Sequence, residues 1–209
     1  MNSPRHDVVE EPLVLASGSP RRRDLLRSAG LDCEIHPPEI SEDGQPGERP
    51  SALVKRLARR KAMVVAERLG VSPRRLVLGA DTVVVRNGVI LGKPRDADHA
   101  LALLSTLVGG QHQVITGIAV VDSASLAHRA KAVESWVTMR PASLEELRAY
   151  VATGEPLDKA GAYALQGEGR RFVLRVEGSE SNVIGLPVEQ TLALLREVRE
   201  SDGETTPPA

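Results

Sequence analysis

Asp81 stands inside LVLGADTVVV, a run otherwise made of apolar and small residues. Aspartate is depleted in strands, and a carboxylate buried without partners is costly. A metal, a cation or a hydrogen-bond network should therefore accompany it; the plainer alternative is a structural carboxylate satisfied by backbone N–H groups. Downstream, Asn87-Gly88 favours a type I′ hairpin, and a two-residue loop there sets Lys93 opposite Thr82, although Gly92 and Pro94 can disturb that register. Asp81, Thr82 and Lys93 would then be neighbours. Lys61 lies three or four residues from Leu57, Ala58, Val64 and Val65, in the middle of an apolar stripe. It either snorkels over the edge of the core or serves as a phosphate ligand inside a cleft.

The junction SGSPRRRDLL, Ser17 to Leu26, is a second place where chemistry is readable. A helix N-terminus offers unpaired N–H groups and the positive end of the macrodipole, which suit anions. Here Arg21, Arg22 and Arg23 occupy the first turn and oppose the dipole. They form either a solvated basic face or a phosphate clamp, with Ser17, Ser19, Arg21 and Arg22 as its candidate substrate-binding residues. Glu39, Glu42 and Asp43 cluster in a loop where a hard cation such as Mg²⁺ could take one or two carboxylates together with substrate phosphates; loop acids are otherwise simply solvated. Gln166, in DKAGAYALQGEG, carries an amide able to read the polar edge of a base. LGKP at Leu91 to Pro94 is no P-loop, because the upstream glycine and the following Ser or Thr are missing. Neither Ser17 nor Ser19 sits in a G-x-S-x-G elbow, and the histidines are scattered without ligand spacing.

The elements that must hold these residues follow from periodicity. Leu13 to Ala16 reads as a buried strand, and Ser19-Pro20 as an N-cap followed by proline at the first helical position, with the helix stopped near Ala29 by Gly30. Ser51 to Leu69 is an amphipathic helix closed by Gly70. Leu76 to Val85 is a strand that turns into Val89 to Leu91, and Asp96 caps a helix reaching about Leu107. Val114 to Val121 and Val133 to Met139 are β-rich, and Ser143 to Glu146 is a capping box that opens a helix ending near Gly154. An irregular, glycine-dense stretch, 155–170, precedes a strand at Phe172 to Val176 and a helix from Val188 to about Glu200. The pattern is mixed α/β, with some antiparallel pairing.

Composition sets outer limits. A chain of 209 residues with 41% hydrophobic content can build one sizeable core or two closely packed lobes. We expect one domain over residues 12–200, with flexible tails at 1–11 and 201–209. The 27 basic and 28 acidic residues give no overall positive field, so a nucleic-acid partner is disfavoured. Aromatic content of 2% leaves few platforms for stacking bases, so a nucleobase would be read by polar groups. The single cysteine, Cys33, forms neither an intrachain disulfide nor a thiolate zinc cage, and fits a reducing compartment. No signal peptide or membrane-spanning run is apparent, which points to the cytoplasm and to no membrane partner.

Six segments in order, LASGSPRRRDLL, RLARRKA, LGADTVV, GKPRD, GEPLDKAGAYALQGEG and NVIGLP, resemble the Maf family of nucleoside triphosphate pyrophosphatases over roughly residues 12–198. The resemblance implies an α/β fold in which a mixed twisted sheet, flanked by helices, forms two lobes around a deep cleft, similar to inosine triphosphate pyrophosphatases and often homodimeric. It implies cleavage between the α- and β-phosphates with a divalent cation, Mg²⁺ or Mn²⁺, on Glu42 and Asp81. Asp81 matches the proton acceptor, Glu42, Lys61 and Lys93 match the other polar cleft residues, and Arg21, Thr82 and Gln166 match the trio marking the subgroup that acts on dTTP and UTP. QGEGRRF and the absence of a tyrosine at Glu180 depart from the family pattern away from the catalytic positions.

The function expected is hydrolysis of a nucleoside triphosphate, dTTP or UTP, to monophosphate and pyrophosphate. Arg21, Lys61 and Lys93 would stabilise the charge that develops. The alternatives are a pyrophosphatase for modified or deaminated purine nucleotides and a non-catalytic nucleotide-sensing protein. A sensor would not need Asp81 and Glu42 together, and a substrate panel separates the two enzymes.

Overall fold

The structure, a computed structural model, describes residues 13–201. Of the tails expected at 1–11 and 201–209, only Ser201 is described, as the last residue of the C-terminal helix.

The chain opens with strand β1 (Leu13–Ala16), helix α1 (Pro20–Ser28), strand β2 (Cys33–Ile35), helix α2 (Pro50–Leu69) and strand β3 (Leu76–Arg86). The three strands lie parallel in the order β2-β1-β3. Leu26 of α1 packs with Leu13, Leu15, Leu76 and Leu78, whereas Ala62, Val65 and Ala66 of α2 pack with Val14, Ala16 and Val77. Side chains alternate across a strand, so the two helices cover opposite faces of the sheet. The carboxyl end of β1 is therefore a topological switch point, where open α/β sheets leave a crevice.

From β3 onward the pairing is antiparallel. Strand β4 (Val89–Leu91) folds back on β3 through Asn87 and Gly88, both at positive φ as a type I′ turn requires. Helix α3 (Ala97–Leu107) follows, with the Asp96 side chain accepting from the His99 N–H. Long strands β5 (Gln111–Asp122) and β6 (His128–Met139) extend the sheet toward β7 (Val173–Glu177). Helix α4 (Leu144–Ala152) starts with the capping box predicted at Ser143 and Glu146. The glycine-dense stretch carries three 3₁₀ turns, Glu155–Asp158, Ala160–Ala162 and Glu168–Phe172. Helices α5 (Glu180–Ile184) and α6 (Val188–Ser201) complete the chain.

The expected α/β architecture holds: a seven-stranded mixed sheet lies between helices. Strands β5 and β6 begin earlier than Val114 and Val133, in polar residues, because a hairpin ladder pairs backbone groups whatever the side chains. Strand β2 and α5 have no periodicity to announce them; three and five residues are too short for a pattern.

Two separate apolar clusters cover one face of the sheet. Near the start of β3, Leu76, Leu78 and Ala80 pack with α1 and α6. Near its end, Val84 packs with Ala100, Leu103 and Leu104 of α3, Tyr150 of α4 and Tyr163 of the 3₁₀ segment. Thr82 lies between them, paired in register with Thr116 of β5. The opposite face is spanned by α2, whose Leu53, Val54 and Leu57 pack on Val83, Val85 and Ile115. The helix can sit that low because β3 and β5 carry glycine beneath it. A Cβ at Gly79 would lie 2.1 Å from the Ala58 carbonyl oxygen, and one at Gly117 would lie 2.2 Å from that of Val54. Among the described residues no helix is long and apolar enough to cross a membrane.

Candidate active site

Between the end of β1 at Ala16, which pairs with Gly79, and the start of β4 pairing at Val84, one edge of β3 is left without a strand partner. Asp81 and Thr82 lie in that interval. A cleft of ≈ 380 Å³ opens there, a size suited to a small-molecule ligand. Ten of the candidates named from sequence line it: Ser17, Ser19, Arg21, Arg22, Glu42, Lys61, Asp81, Thr82, Lys93 and Gln166. Glu39 and Asp43 do not; Asp43 instead accepts from the Ser41 hydroxyl.

Alternation along β3 sends Asp81 and Thr82 to opposite faces. Asp81 faces α2, where Lys61 donates to its Oδ1 at 2.7 Å and also meets Glu42 Oε1 at 2.5 Å. Lys61 and Asp81 are both 7% exposed, so the lysine is a buried member of this cluster and not a snorkelling side chain. Its place is set by the glycine-lined approach of α2, since Ala58 and Ala62 flank Lys61 in the helix and touch Gly79. Glu42 comes from the loop before α2 and keeps much of its surface in water.

The two carboxyls are driven apart in acidity. Burial, opposed by Lys61 and Arg22 and reinforced by the Glu42 charge, lifts Asp81 above the usual aspartate range. Burial also works against the Glu42 charge, but the Lys61 hydrogen bond and charge, with Lys93 and Arg22 behind them, outweigh it and hold Glu42 below its ordinary value. Such divergence is what a proton acceptor beside a permanently charged partner requires.

Thr82 faces the other way. Its hydroxyl lies 2.9 Å from that of Thr116, which in turn donates to the Asn182 carbonyl. Arg22 reaches across to this point, donating to Thr82 Oγ1 at 3.2 Å, Ser17 Oγ at 2.9 Å and the Gly185 carbonyl at 2.9 Å. Burial lowers the proton affinity of its guanidinium, with Asp81 and Glu42 opposing and Arg21 adding to the fall. The arginines that misfit the helix dipole are thereby accounted for individually. Arg22 threads into the cleft, Arg21 pairs with Asp158 at 3.6 Å, and Arg23 pairs with Asp24 on the surface. Ser19 occupies the N-cap position expected of it, but its side chain makes no capping hydrogen bond. The Ser17 hydroxyl instead accepts from the Ser19 N–H.

Lys93 continues the register expected from the hairpin, since Val84 pairs with Leu91, but the ladder stops at Leu91 and Lys93 stands beyond it at the rim. Gln166 is exposed on the far wall, beside Tyr163, Ala164 and Leu165. Sequence reasoning missed Asp158, Lys159, Tyr163 and Thr116. A signal existed for Thr116, a hydroxyl followed by glycine inside an apolar strand. Tyr163 is an aromatic in a cleft expected to be poor in them, and its hydroxyl is engaged by His112 Nε2 at 2.9 Å.

For a divalent cation the donor chemistry fits. Oxygens of Glu42 and Asp81 converge on one cationic point, the Lys61 ammonium, and a hard cation uses one or two carboxylates alongside phosphate oxygens and water. Among the described residues no group of three or more His, Cys, Asp or Glu side chains is placed to hold a metal by itself. The donor set therefore suits an ion completed by substrate.

Comparison with known proteins bears on the same segments. The family described as Maf-like protein matches residues 12–198. The chain is 49% identical over 187 residues to a dTTP/UTP pyrophosphatase of Anaeromyxobacter sp. (strain Fw109-5), covering 88% of each chain. It is 50% identical over 186 residues to the protein of that name from Anaeromyxobacter dehalogenans (strain 2CP-1 / ATCC BAA-258), covering 88% of this chain and 92% of the relative. The Geobacter metallireducens protein of that name is 47% identical over 184 residues, with 88% and 94% covered.

Proposed function

From the premise that the chain belongs to the Maf-like protein family, we propose that it hydrolyses dTTP and UTP to the nucleoside monophosphate and pyrophosphate. The observation that carries the reading is the meeting, in one cleft, of a carboxylate pair about Lys61 with the Arg21, Thr82 and Gln166 side chains.

In the reaction, water adds to the α-phosphorus as the bond to the bridging oxygen of the β-phosphate breaks, and pyrophosphate leaves with that oxygen. Asp81, whose carboxyl is biased toward taking a proton, accepts one from the attacking water. Lys61 keeps Asp81 and Glu42 oriented before substrate arrives and, with Arg21, Arg22 and Lys93, offsets charge that builds on the phosphate oxygens. A Mg²⁺ or Mn²⁺ ion held by Glu42 and Asp81 would supply neutralisation of phosphate charge. Thr82, fixed by Thr116 and Arg22, and Gln166 on the facing wall select the base. The uracil and thymine edge offers two carbonyl acceptors about an N–H donor, a pattern an amide can match from both sides. A reducing cytoplasm and a homodimer are part of the same proposal; the lone Cys33 and the family resemblance support them.

The test is kcat/KM for dTTP, UTP, CTP, GTP, ITP and 7-methyl-GTP, with Mg²⁺ and with chelator. Preference for dTTP and UTP, abolished by chelator and restored by the metal, is expected. Preference for a purine would shift the reading to the purine-directed alternative, and tight binding without turnover would favour a sensor.

A further inference from the structure

Glu155 sits behind the far wall of the cleft, at the first position of the 3₁₀ turn Glu155–Asp158. Its carboxylate accepts three hydrogen bonds. Oε1 receives the Tyr150 hydroxyl at 2.7 Å and the Gly169 N–H at 3.1 Å, and Oε2 receives the Glu168 N–H at 3.0 Å. The Tyr150 oxygen in turn accepts the Ala164 N–H at 3.1 Å. Both ends of the Ala164–Gly169 turn are thus tied to one phenol–carboxylate pair, the phenol buried and the carboxylate half-buried, and Gln166 lies between them.

The fit is close as well as polar. A Cβ at Gly167 would lie 2.4 Å from Glu155 Oε2, and one at Gly169 would lie 2.5 Å from the Tyr150 oxygen and 2.6 Å from the Ala164 carbonyl oxygen. The turn is wrapped closely onto the pair, and a side chain at Gly167 or Gly169 would have to displace it. Tyr150 is itself immobilised, fully buried and edge-on to Phe172 with ring centroids 5.4 Å apart. Gln166 is exposed, so the backbone on either side of it sets the point from which its side chain reaches the base.

We infer that Glu155, acting with Tyr150, is a positioning residue for nucleobase selection: the pair fixes the Ala164–Gly169 turn and so sets where the Gln166 amide meets the base. The inference rests on the reading of Gln166 as a base-selecting residue. The charge states agree with the geometry. Burial pushes Glu155 up, but the Tyr150 hydroxyl and the Gly169 and Glu168 N–H groups outweigh it, so the carboxylate stays ionised and accepts. Burial and the Glu155 bond raise Tyr150, so the phenol stays protonated and donates.

The test compares kcat/KM for UTP and GTP in wild type, Glu155→Gln, Gln166→Ala and the double variant. In Glu155→Gln the new amide group faces the Glu168 N–H donor to donor, which should displace the turn. The UTP-to-GTP ratio is expected to fall by roughly 10- to 100-fold, the scale of a small misplacement, with the loss in KM more than in kcat. In the Gln166→Ala background the same substitution should leave the ratio unchanged, which a merely structural contribution would not do. Tyr150→Phe, which cuts the tie to Ala164, should move the ratio in the same direction and stands in if Glu155→Gln folds poorly. An equal loss for both nucleotides, or an equal effect in both backgrounds, overturns the inference. A wild type without the preference, or a Gln166→Ala variant that keeps it, removes the base-reading assignment and this inference with it; normal behaviour of those two beside an unchanged Glu155→Gln ratio removes the role of Glu155 alone.

Discussion

The two walls of the cleft are built by different means. The wall around Lys61 consists of regular structure: a long helix pressed onto glycines of two strands, with a lysine and an aspartate almost excluded from water. The wall around Gln166 consists of 3₁₀ turns threaded with glycine, and it holds its shape by side-chain hydrogen bonds to backbone N–H groups. Groups that move protons and offset charge need a fixed, poorly hydrated setting, where electrostatic effects are strong. A group that reads a base needs only direction, which a pinned loop on a rigid scaffold supplies. Lesions in the Lys61, Asp81 and Glu42 cluster should therefore slow every nucleotide alike, whereas lesions in the Gln166 wall should change which nucleotide is preferred.

The largest effect should come from Asp81→Asn. Lys61 keeps its contact with Glu42, so the fold and nucleotide affinity are expected to survive while kcat falls by at least about a hundredfold for all nucleotides. Steady-state kinetics beside a binding titration check this, and a loss confined to one base would erase the division between the walls. Next comes Gly79→Ala, which forces a methyl against the Ala58 carbonyl. Unfolding in urea should show a loss of about 3 kcal/mol, as overpacking of a tight contact does. Stability within a few tenths of the wild type would mean that α2 is not held as closely as described.

On the Gln166 wall, Gln166→Glu should weaken kcat/KM for dTTP and UTP by about 1–3 kcal/mol if the amide reads the base as proposed, because a carboxylate cannot donate to a carbonyl of the base. An unchanged substrate profile would contradict base selection at this position. The smallest effect is expected from Glu146→Gln, in the capping box of the helix that delivers Tyr150. Glu146 is held at about 2 by its hydrogen bond to Arg140, aided by the Ser143 N–H, which is below its unfolded value. The stabilisation is therefore present above the ordinary glutamate range and is lost as pH falls toward 2. The Tm difference between variant and wild type should be present at neutral pH and shrink on acidification; a difference that grows would reverse the assignment.

The two walls were also unequally legible in the sequence. Periodicity, the caps at Asp96 and Ser143 and the Asn87-Gly88 turn recover β1, α1, α2, β3, β4, α3 and α4, because each depends on neighbours along the chain. Asp81 was conspicuous as an acid in an apolar strand, and Lys61 as a cation in an apolar stripe. That the two would meet, with Glu42, depends on α2 lying on Gly79 and Gly117, which is a tertiary fact. Arg22, Thr82, Thr116 and Asn182 form a chain of hydrogen bonds joining segments far apart in sequence, so no local pattern announces it. The 3₁₀ wall was readable only as irregular and glycine-dense, since its order comes from Glu155 and Tyr150 binding backbone N–H groups across the turn.

Hydrolysis of dTTP in ¹⁸O-enriched water tests whether attack falls on the α-phosphorus. With Mg²⁺ present, mass spectrometry of the first products should find one ¹⁸O in dTMP and none in pyrophosphate. Label in pyrophosphate, or dTDP appearing with labelled orthophosphate, would place the attack on the β- or γ-phosphorus instead.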